Sequence, residues 1–547
     1  MEKLTPGSHR EFRETFKLTV PDRYNFSYDT LDAIAERSPD SPAMLHVDHH
    51  DVARVYDFGF FKRESDRLAA GLMARGVTQG DRIMIILYRR VEFWITMLAL
   101  HKIGALPVPS PNLLTSHDIE FRVNYAKIKG VICEDSIVSR VEGVRKICPT
   151  LKHFVQAGEA PLPEGWVNFD TLCSEAPHFV KPNPAPGGKD QMVIFFSSGT
   201  TGMPKMVLHD FNYPLGHYVT AVYWHNLSKG DLHLTLADSG WAKSVWGKFY
   251  GQWMAEAVIF VWDFRGKFDP AKLLEIIAQH KVNSFCAPPT VYRFMIQQDL
   301  AKYDLSHLKH CTTAGELLNA SIFEAWQKAT GKPIYEGYGQ TETCLQVATL
   351  PFMKPKPGSI GRPTPGWKLV LFNEEGKPCA AGEEGEIRID LRDGPPVGLF
   401  QGYLDEPKKT GAVMHDGWYH TGDKAWVDED GYYWFLGRND DLIKSSGYRI
   451  GPFEVESALI THPAVVEAAV TGVPDSVRGQ AVKATVVLAK GFQGSDELTK
   501  ELQNHVKTVT APYKYPRIIE YAEELPKTIS GKIKRAEIRA RDRVREQ

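Results

Sequence analysis

The sequence holds little cysteine and uses it singly. Seven cysteines, at 133, 148, 173, 286, 311, 344 and 379, are scattered through 547 residues, and none forms a C-x-x-C pair. That excludes a disulfide framework and a zinc ribbon and reads as buried free thiols in a reducing compartment. No apolar run approaches the ~20 residues of a membrane-spanning helix. The polar amino terminus lacks the apolar core of a secretory signal. An excess of one charge is missing too. The 65 Lys and Arg stand against 67 Asp and Glu, a net charge of −2, so neither nucleic acid nor a membrane surface is an expected partner. A cytoplasmic protein is the expectation. The eight basic against three acidic residues from Lys527 to Gln547 read as a solvated terminal helix, not a nucleic-acid arm. There is no internal repeat, and no Walker spacing G-x-x-x-x-G-K-[ST], which argues against a conventional P-loop ATPase.

What is present is apolar material for more than one core: 43% of the residues are hydrophobic, and single cores stop growing well short of this length. Strand and helix patterns alternate. Residues 28–37 and 61–75 have helical spacing, 52–60 strand spacing. A buried strand over 81–88, an apolar helix over 91–103 ended by Gly104, and a strand over 105–109 follow. The alternation predicts an α/β fold, a large N-terminal domain of parallel-rich sheets flanked by helices. Residues 178–188, rich in Pro and Gly, read as a linker. Short strands at turn-rich spacing over 368–372, 385–390, 418–420 and 432–436 predict a smaller β-rich subdomain. After Arg438-Asn439-Asp440-Asp441 breaks the pattern, a compact α+β unit of about one hundred residues remains, a reasonable size for a domain.

Six stretches carry chemistry. Residues 197–205 (Ser197, Ser198, Gly199, Thr200, Thr201, Gly202, Met203, Pro204, Lys205) lie between two strand-like runs. Four hydroxyls, two glycines and a lysine suit a polyphosphate: backbone N–H groups approach closely, hydroxyls donate, and the lysine supplies charge. A mobile polar connection explains the composition equally well. Gly315 and Glu316 follow Ala314 in what reads as a strand-to-helix turn. In Glu336-Gly337-Tyr338-Gly339-Gln340-Thr341-Glu342 an aromatic between glycines can stack on a base and Glu342 can hold Mg²⁺; a Gly-rich turn with an incidental acid is the alternative. Trp418-Tyr419-His420-Thr421-Gly422-Asp423 sets a carboxylate at an expected strand end, suited to two ribose hydroxyls or simply to a turn. Gly437-Arg438-Asn439-Asp440-Asp441 runs into Ile443-Lys444-Ser445-Ser446-Gly447-Tyr448-Arg449. Last, Pro526-Lys527-Thr528-Ile529-Ser530-Gly531-Lys532 holds a lysine in a Ser-Gly turn.

In this order and spacing the stretches resemble one family, the adenylate-forming superfamily of acyl-CoA synthetases, peptide-synthetase adenylation domains and firefly-type luciferases. The resemblance covers nearly the whole chain. Asp238-Ser239-Gly240-Trp241, Pro288-Pro289-Thr290-Val291-Tyr292-Arg293, residues 337–342 and Ala511-Pro512-Tyr513-Lys514-Tyr515-Pro516-Arg517 make it most similar to the medium-chain acyl-CoA synthetases. The resemblance implies ATP, Mg²⁺ and coenzyme A, with a carboxylic acid as substrate. Residues 197–205 would close over the β- and γ-phosphates; Gly315, Glu316 and Leu317 would line adenine, Tyr338 would stack on it, and Glu336, Gly337, Gly339 and Gln340 would complete the nucleotide site. Thr341 would touch the α-phosphate, Glu342 would bind Mg²⁺, and Asp423 with Arg438 would take the ribose. Lys532 would reach the forming acyl-phosphate bond from the small domain. It implies a domain of residues 1–437, a hinge over 438–441 turning at Asp440, and a mobile domain of residues 442–547. Ser446, Gly447, Tyr448 and Arg449, with Arg478, Lys514 and Tyr515, would face coenzyme A. Trp241, Lys243, Pro288 and Gly339 would shape the acyl site; family members that take acetate carry tryptophan at the position of Gly339, so a deeper site is implied. A homodimer, and acetylation of Lys532 by an acetyltransferase with removal by a deacetylase, are further expectations.

The chemistry agrees with that assignment. A carboxylate is a poor electrophile, and attack on the α-phosphorus of ATP turns it into a mixed anhydride with AMP as leaving group. An anion must then attack a polyanion, so positioned cations lower the barrier. One such electrostatic contact is worth ~3–4 kcal/mol, a hundredfold or more in rate. Lys532→Ala is therefore expected to slow acyl-adenylate formation in single turnover while ATP binding, by titration, changes far less; equal loss in both would remove the role.

Overall fold

The computed structural model describes residues 3–197, 204–438, 441–446, 448–475, 477–527 and 533–545. Ser198, Gly199, Thr200, Thr201, Gly202, Met203, Asp440, Gly447 and Lys532 lie outside them, as does the Arg449 side chain.

Two parallel-rich sheets carry most of the chain. The larger has nine strands. Six of them, Pro42–Val47, Val258–Trp262, Leu232–Thr235, Ser284–Cys286, His310–Ala314 and Ile334–Tyr338, run parallel in that spatial order, and antiparallel strands close both edges. The smaller has five strands, Leu106–Pro109, Arg82–Ile86, Gly130–Glu134, His153–Ala157 and Val167–Asn168, all parallel. Such strands are covered on both faces and read as continuous apolar runs. Ile83, Met84, Ile85 and Ile86 are all buried. The helix Val91–Ile103 is buried nearly all round and stops at Gly104, whose φ of +71° suits glycine.

Two expectations change here. The strand predicted over 52–60 is cut to Ala53–Asp57 because Asp57 caps the next helix, Phe58–Ala74, accepting from Phe60 N–H at 2.5 Å. The linker over 178–188 is pinned: Asn25 Nδ2 donates to Pro186 O at 3.0 Å and Arg23 to Ala185 O at 2.6 Å.

The strands Gln191–Ser197, Lys205–Asp210 and Gly402–Tyr403 form a three-stranded antiparallel sheet, and Leu369–Phe372, Gly385–Asp390, Trp418–Val427, Met414–His415 and Tyr433–Arg438 form the expected β-rich region. Asp423 does not sit at a strand end. Trp418–Val427 runs on for ten residues. Glu386 pairs with Lys424 and Arg388 with His420, so Thr421, Gly422 and Asp423 bulge opposite Ile387 alone. Gly422 takes φ +70°, so the Gly-Asp turn chemistry serves a bulge that re-aims the carboxylate.

Beyond residue 441, Tyr448–Ile450, Ile443–Ser445, Gly479–Leu488 and Val465–Asp475 make an antiparallel sheet that Ile518–Tyr521 joins in parallel. The helices Pro452–Ile460 and Asp496–Val509 turn Val455, Leu459, Leu502 and Val506 onto it. The last helix, Arg535–Arg545, begins with Arg535 buried against Glu456 at 2.7 Å and over the Phe453 ring at 4.4 Å. Asn319 Nδ2 donates to Ser457 O at 2.9 Å, linking this unit to the helix Ala320–Thr330 of the larger sheet.

One buried cation holds the amino-terminal helices together. Lys102 has no exposure and its ammonium meets Asp32 at 2.8 Å and Asp66 at 2.6 Å. Breaking a buried pair from one side strands the other charge. Lys102→Ala is expected to cost about 3–5 kcal/mol, read as a large fall in the denaturation midpoint, whereas Asp66→Asn, which leaves the pair with Asp32, should cost much less.

Candidate active site

The cleft is assembled from four chain segments. The first is the hairpin of Gln191–Ser197 and Lys205–Asp210, in which Ser197 stands opposite Lys205 and Pro204 leads into the second strand. The second is the 338–344 turn that leaves the edge of the parallel run; His209 Nε2 hydrogen bonds with Thr341 O at 2.8 Å and ties turn to hairpin. The third is residues 400–403. Phe400 N–H donates to Glu342 O at 2.8 Å, and Tyr403 Oη donates to Glu342 Oε1 at 2.9 Å. The fourth is the bulge holding Asp423.

Around Glu342 the electrostatics are specific. Its side chain keeps partial exposure to the cleft, yet the surrounding protein raises its pKa through desolvation. The Tyr403 hydroxyl and the charges of Lys205 and Arg438 act the other way. Lys205 Nζ lies over the Tyr403 ring, 4.7 Å from its centroid. Among the described residues no group of three or more His, Cys, Asp or Glu could hold a metal ion. A single carboxylate with an open face is the donor set that Mg²⁺ shares with substrate phosphates.

Asp423 is buried and held from three sides. Tyr338 Oη and Gln340 Nε2 both donate to its Oδ2 at 2.6 Å, and Arg438 Nε lies 3.7 Å from Oδ1. Gln340 is itself oriented by Tyr419, whose hydroxyl donates to Gln340 Oε1 at 2.8 Å. The Tyr338 ring is half-buried, 5.8 Å from Phe435. Gly337 packs beneath, where a Cβ would come within 2.7 Å of Trp224. Glu336 is different: it is buried, accepts from Leu318 N–H at 3.2 Å, and is pushed up to about 8 by burial. Gly315 is exposed at φ +95°, in front of Ala314, whose carbonyl accepts from Lys243 Nζ at 2.6 Å. Glu316 accepts from Thr290 Oγ1 at 2.7 Å, and Leu317 packs against the β-rich core.

The acyl-site candidates sit beside this group. Trp241 opens the helix Ala242–Gly247 and Pro288 opens Pro289–Met295. Gly339 does not simply leave depth. Its absent Cβ would lie 2.3 Å from Trp246 Cη2 and 2.6 Å from Cys344 O, so the indole of Trp246 fills the space beside it. The sequence reading missed Trp246 and Tyr403; neither falls in a motif.

The described residues expected to face coenzyme A all come after residue 441. Ser446, exposed at φ +51°, donates its N–H to Arg478 O at 2.9 Å. Tyr448 is half-exposed and stacks on Tyr513 at 4.2 Å. Arg478 pairs with Asp475 at 3.3 Å, Lys514 with Glu454, and Tyr515 lies under the Arg517 and Lys507 cations.

Comparison with known proteins decides the family. The model of the AMP-binding enzyme matches residues 31–404 and that of its C-terminal domain residues 454–532. The chain belongs to the AMP-binding enzyme family. Among its relatives, acyl-coenzyme A synthetase ACSM3, mitochondrial, of Mus musculus is 38% identical over 98% of this chain and 94% of its own length. Acyl-coenzyme A synthetase ACSM5, mitochondrial, of Homo sapiens is 39% identical over 96% and 91%. The crystal structure of the anthranilate CoA ligase AuaEII in complex with anthranoyl-AMP superposes with a TM-score of 0.88 at 30% identity, covering 96% of this chain and 99% of that one.

These relatives bear out the family and the α/β class for this AMP-binding enzyme and overturn its cytoplasmic placement, since both curated relatives are named mitochondrial. All seven cysteines are free, and six are buried. Free thiols report a reducing compartment, and they do not tell cytoplasm from mitochondrial matrix. No helix among the described residues is long and apolar enough to cross a membrane.

The packing of Gly339 is directly testable. Gly339→Ala places a methyl against an indole and a carbonyl, and overpacking of this kind costs about 1–3 kcal/mol. A lower thermal midpoint is expected, with part of it recovered when Trp246→Phe is added.

Proposed function

We propose that this AMP-binding enzyme is an acyl-CoA synthetase working in the mitochondrion. It joins a carboxylic acid to ATP, giving acyl-AMP and pyrophosphate, then transfers the acyl group to coenzyme A, releasing AMP. The observation that carries the reading is the convergence of Lys205, Glu342 and the Tyr338–Gln340–Asp423–Arg438 network on one cleft.

In this reading residues 197–205 fold over the β- and γ-phosphates and Lys205 meets their charge. Asp423, already oriented by Tyr338 and Gln340, accepts the two ribose hydroxyls, with Arg438 beside its other oxygen. Gly315, Glu316 and Leu317 with Tyr338 bound the adenine, Glu336 holding the 315–318 turn through Leu318 N–H. Thr341 contacts the α-phosphate. Glu342 would hold Mg²⁺, which would supply charge neutralisation for the approach of the acid carboxylate. Lys532, carried by residues 442–547 after a turn about Asp440, stabilises the same developing charge. A second orientation of that unit withdraws the lysine and brings Ser446, Gly447, Tyr448 and Arg449 to the thiol's path, so that thiolate attack on the acyl carbonyl expels AMP.

A carrier-protein adenylation enzyme is the rival, with Asp238 pairing an amino-acid ammonium. Asp238 instead stands 3.8 Å from Arg89 and accepts from Gly240 N–H, which disfavours that use. A hydrocarbon pocket distinguishes acids by about 1–3 kcal/mol per methylene, so a panel of straight, branched and aromatic acids is expected to give a clear pyrophosphate-release maximum at roughly four to ten carbons, with free coenzyme A as acceptor. Activity confined to a pantetheinylated carrier protein would overturn the reading.

A further inference from the structure

Tyr403 lies outside every motif, yet it touches both charged groups of the phosphate site. Its hydroxyl donates to Glu342 Oε1 at 2.9 Å, and its ring face carries Lys205 Nζ at 4.7 Å. The ring itself is fixed. It is 5% exposed, packs against Phe400 at 5.0 Å, and sits on a strand where Tyr403 pairs with Val207 while its own N–H donates to Thr410 Oγ1 at 2.9 Å. Among the described residues Lys205 makes no ion pair, although its charge acts on Glu342.

We propose that Tyr403 is a positioning residue that holds Lys205 and Glu342 apart, so that the carboxylate stays open to Mg²⁺ and the ammonium to phosphate. The inference rests on the acyl-CoA synthetase reading. A lysine beside a partly buried carboxylate gains by closing onto it, and that pair would have to break before a magnesium nucleotide could enter. The aromatic face gives the ammonium a weaker partner, which phosphate displaces. The hydroxyl takes one carboxylate oxygen and leaves the other for the cation.

The test is calorimetric titration of the full chain with ATP, with and without magnesium chloride. For Tyr403→Phe, a hydrogen bond to a charged group is lost, and the magnesium-dependent gain in ATP affinity is expected to fall roughly tenfold, with affinity for ATP alone unchanged. Tyr403→Leu removes the ring as well and should fall further. Adding Lys205→Gln to Tyr403→Leu should return part of the magnesium-dependent gain, because the collapsed pair cannot form. An equal loss for Tyr403→Phe with and without magnesium, or no loss, overturns the proposal, as does the absence of recovery in a double variant that folds. Should Tyr403→Leu fail to fold, Tyr403→Phe decides alone. Failure of the wild-type chain to bind ATP removes the underlying reading too, whereas normal wild-type acyl-adenylate formation with an indifferent Tyr403→Phe removes only this inference.

Discussion

A carboxylate drawn largely out of water costs free energy unless charge or hydrogen bonds compensate it, and Glu342 is given one phenolic hydroxyl and two cations that stand off at a distance. The rest of the cleft follows from keeping that group unsatisfied. Its backbone carbonyl is tied by Phe400 and its side chain by Tyr403, so a single short segment clamps it at both ends. That segment is in turn a strand on the hairpin that presents Lys205. The cation and the anion are therefore positioned by the same sheet.

Asp423 shows the same strategy with a different solution. Two donors are spent on one oxygen, leaving Oδ1 toward Arg438. A bulge, not a loop, aims it, which gives rigidity that a strand end would not. Second-layer groups such as Tyr419 and Thr421 fix the donors, Thr421 Oγ1 donating to Ile387 O at 2.6 Å. Precision in such a site comes from these supporting contacts.

Much of this was legible in the sequence because local chemistry and global fold agree. The hairpin around residues 197–205 is readable from two apolar runs flanking Gly and Ser, and the helix Val91–Ile103 from its apolar run and Gly104. Asp423 misled because Thr-Gly-Asp is turn chemistry wherever it stands, and only the partner strand says whether a turn or a bulge results. Tyr403 and Trp246 left no local signal at all. One is a tyrosine in a two-residue strand and the other a tryptophan in a six-residue helix; each matters through a neighbour far away in the chain. The cytoplasmic reading failed for a plainer reason, since thiol chemistry is shared by both reducing compartments.

The Gly339–Trp246 contact shows why acid size resists reading from one position. A glycine removes a side chain from the turn, yet the volume it frees is taken by an indole from the helix Ala242–Gly247. Trp246 is in turn bounded by His217, with ring centroids 5.5 Å apart, and Gln252 Nε2 donates to its carbonyl at 3.0 Å. Interiors are packed near crystalline density, so a wall removed on one element is replaced from another unless a ligand fills the gap. On the acyl-CoA synthetase reading, the depth beside Gly339 is thus set by the glycine and the indole together.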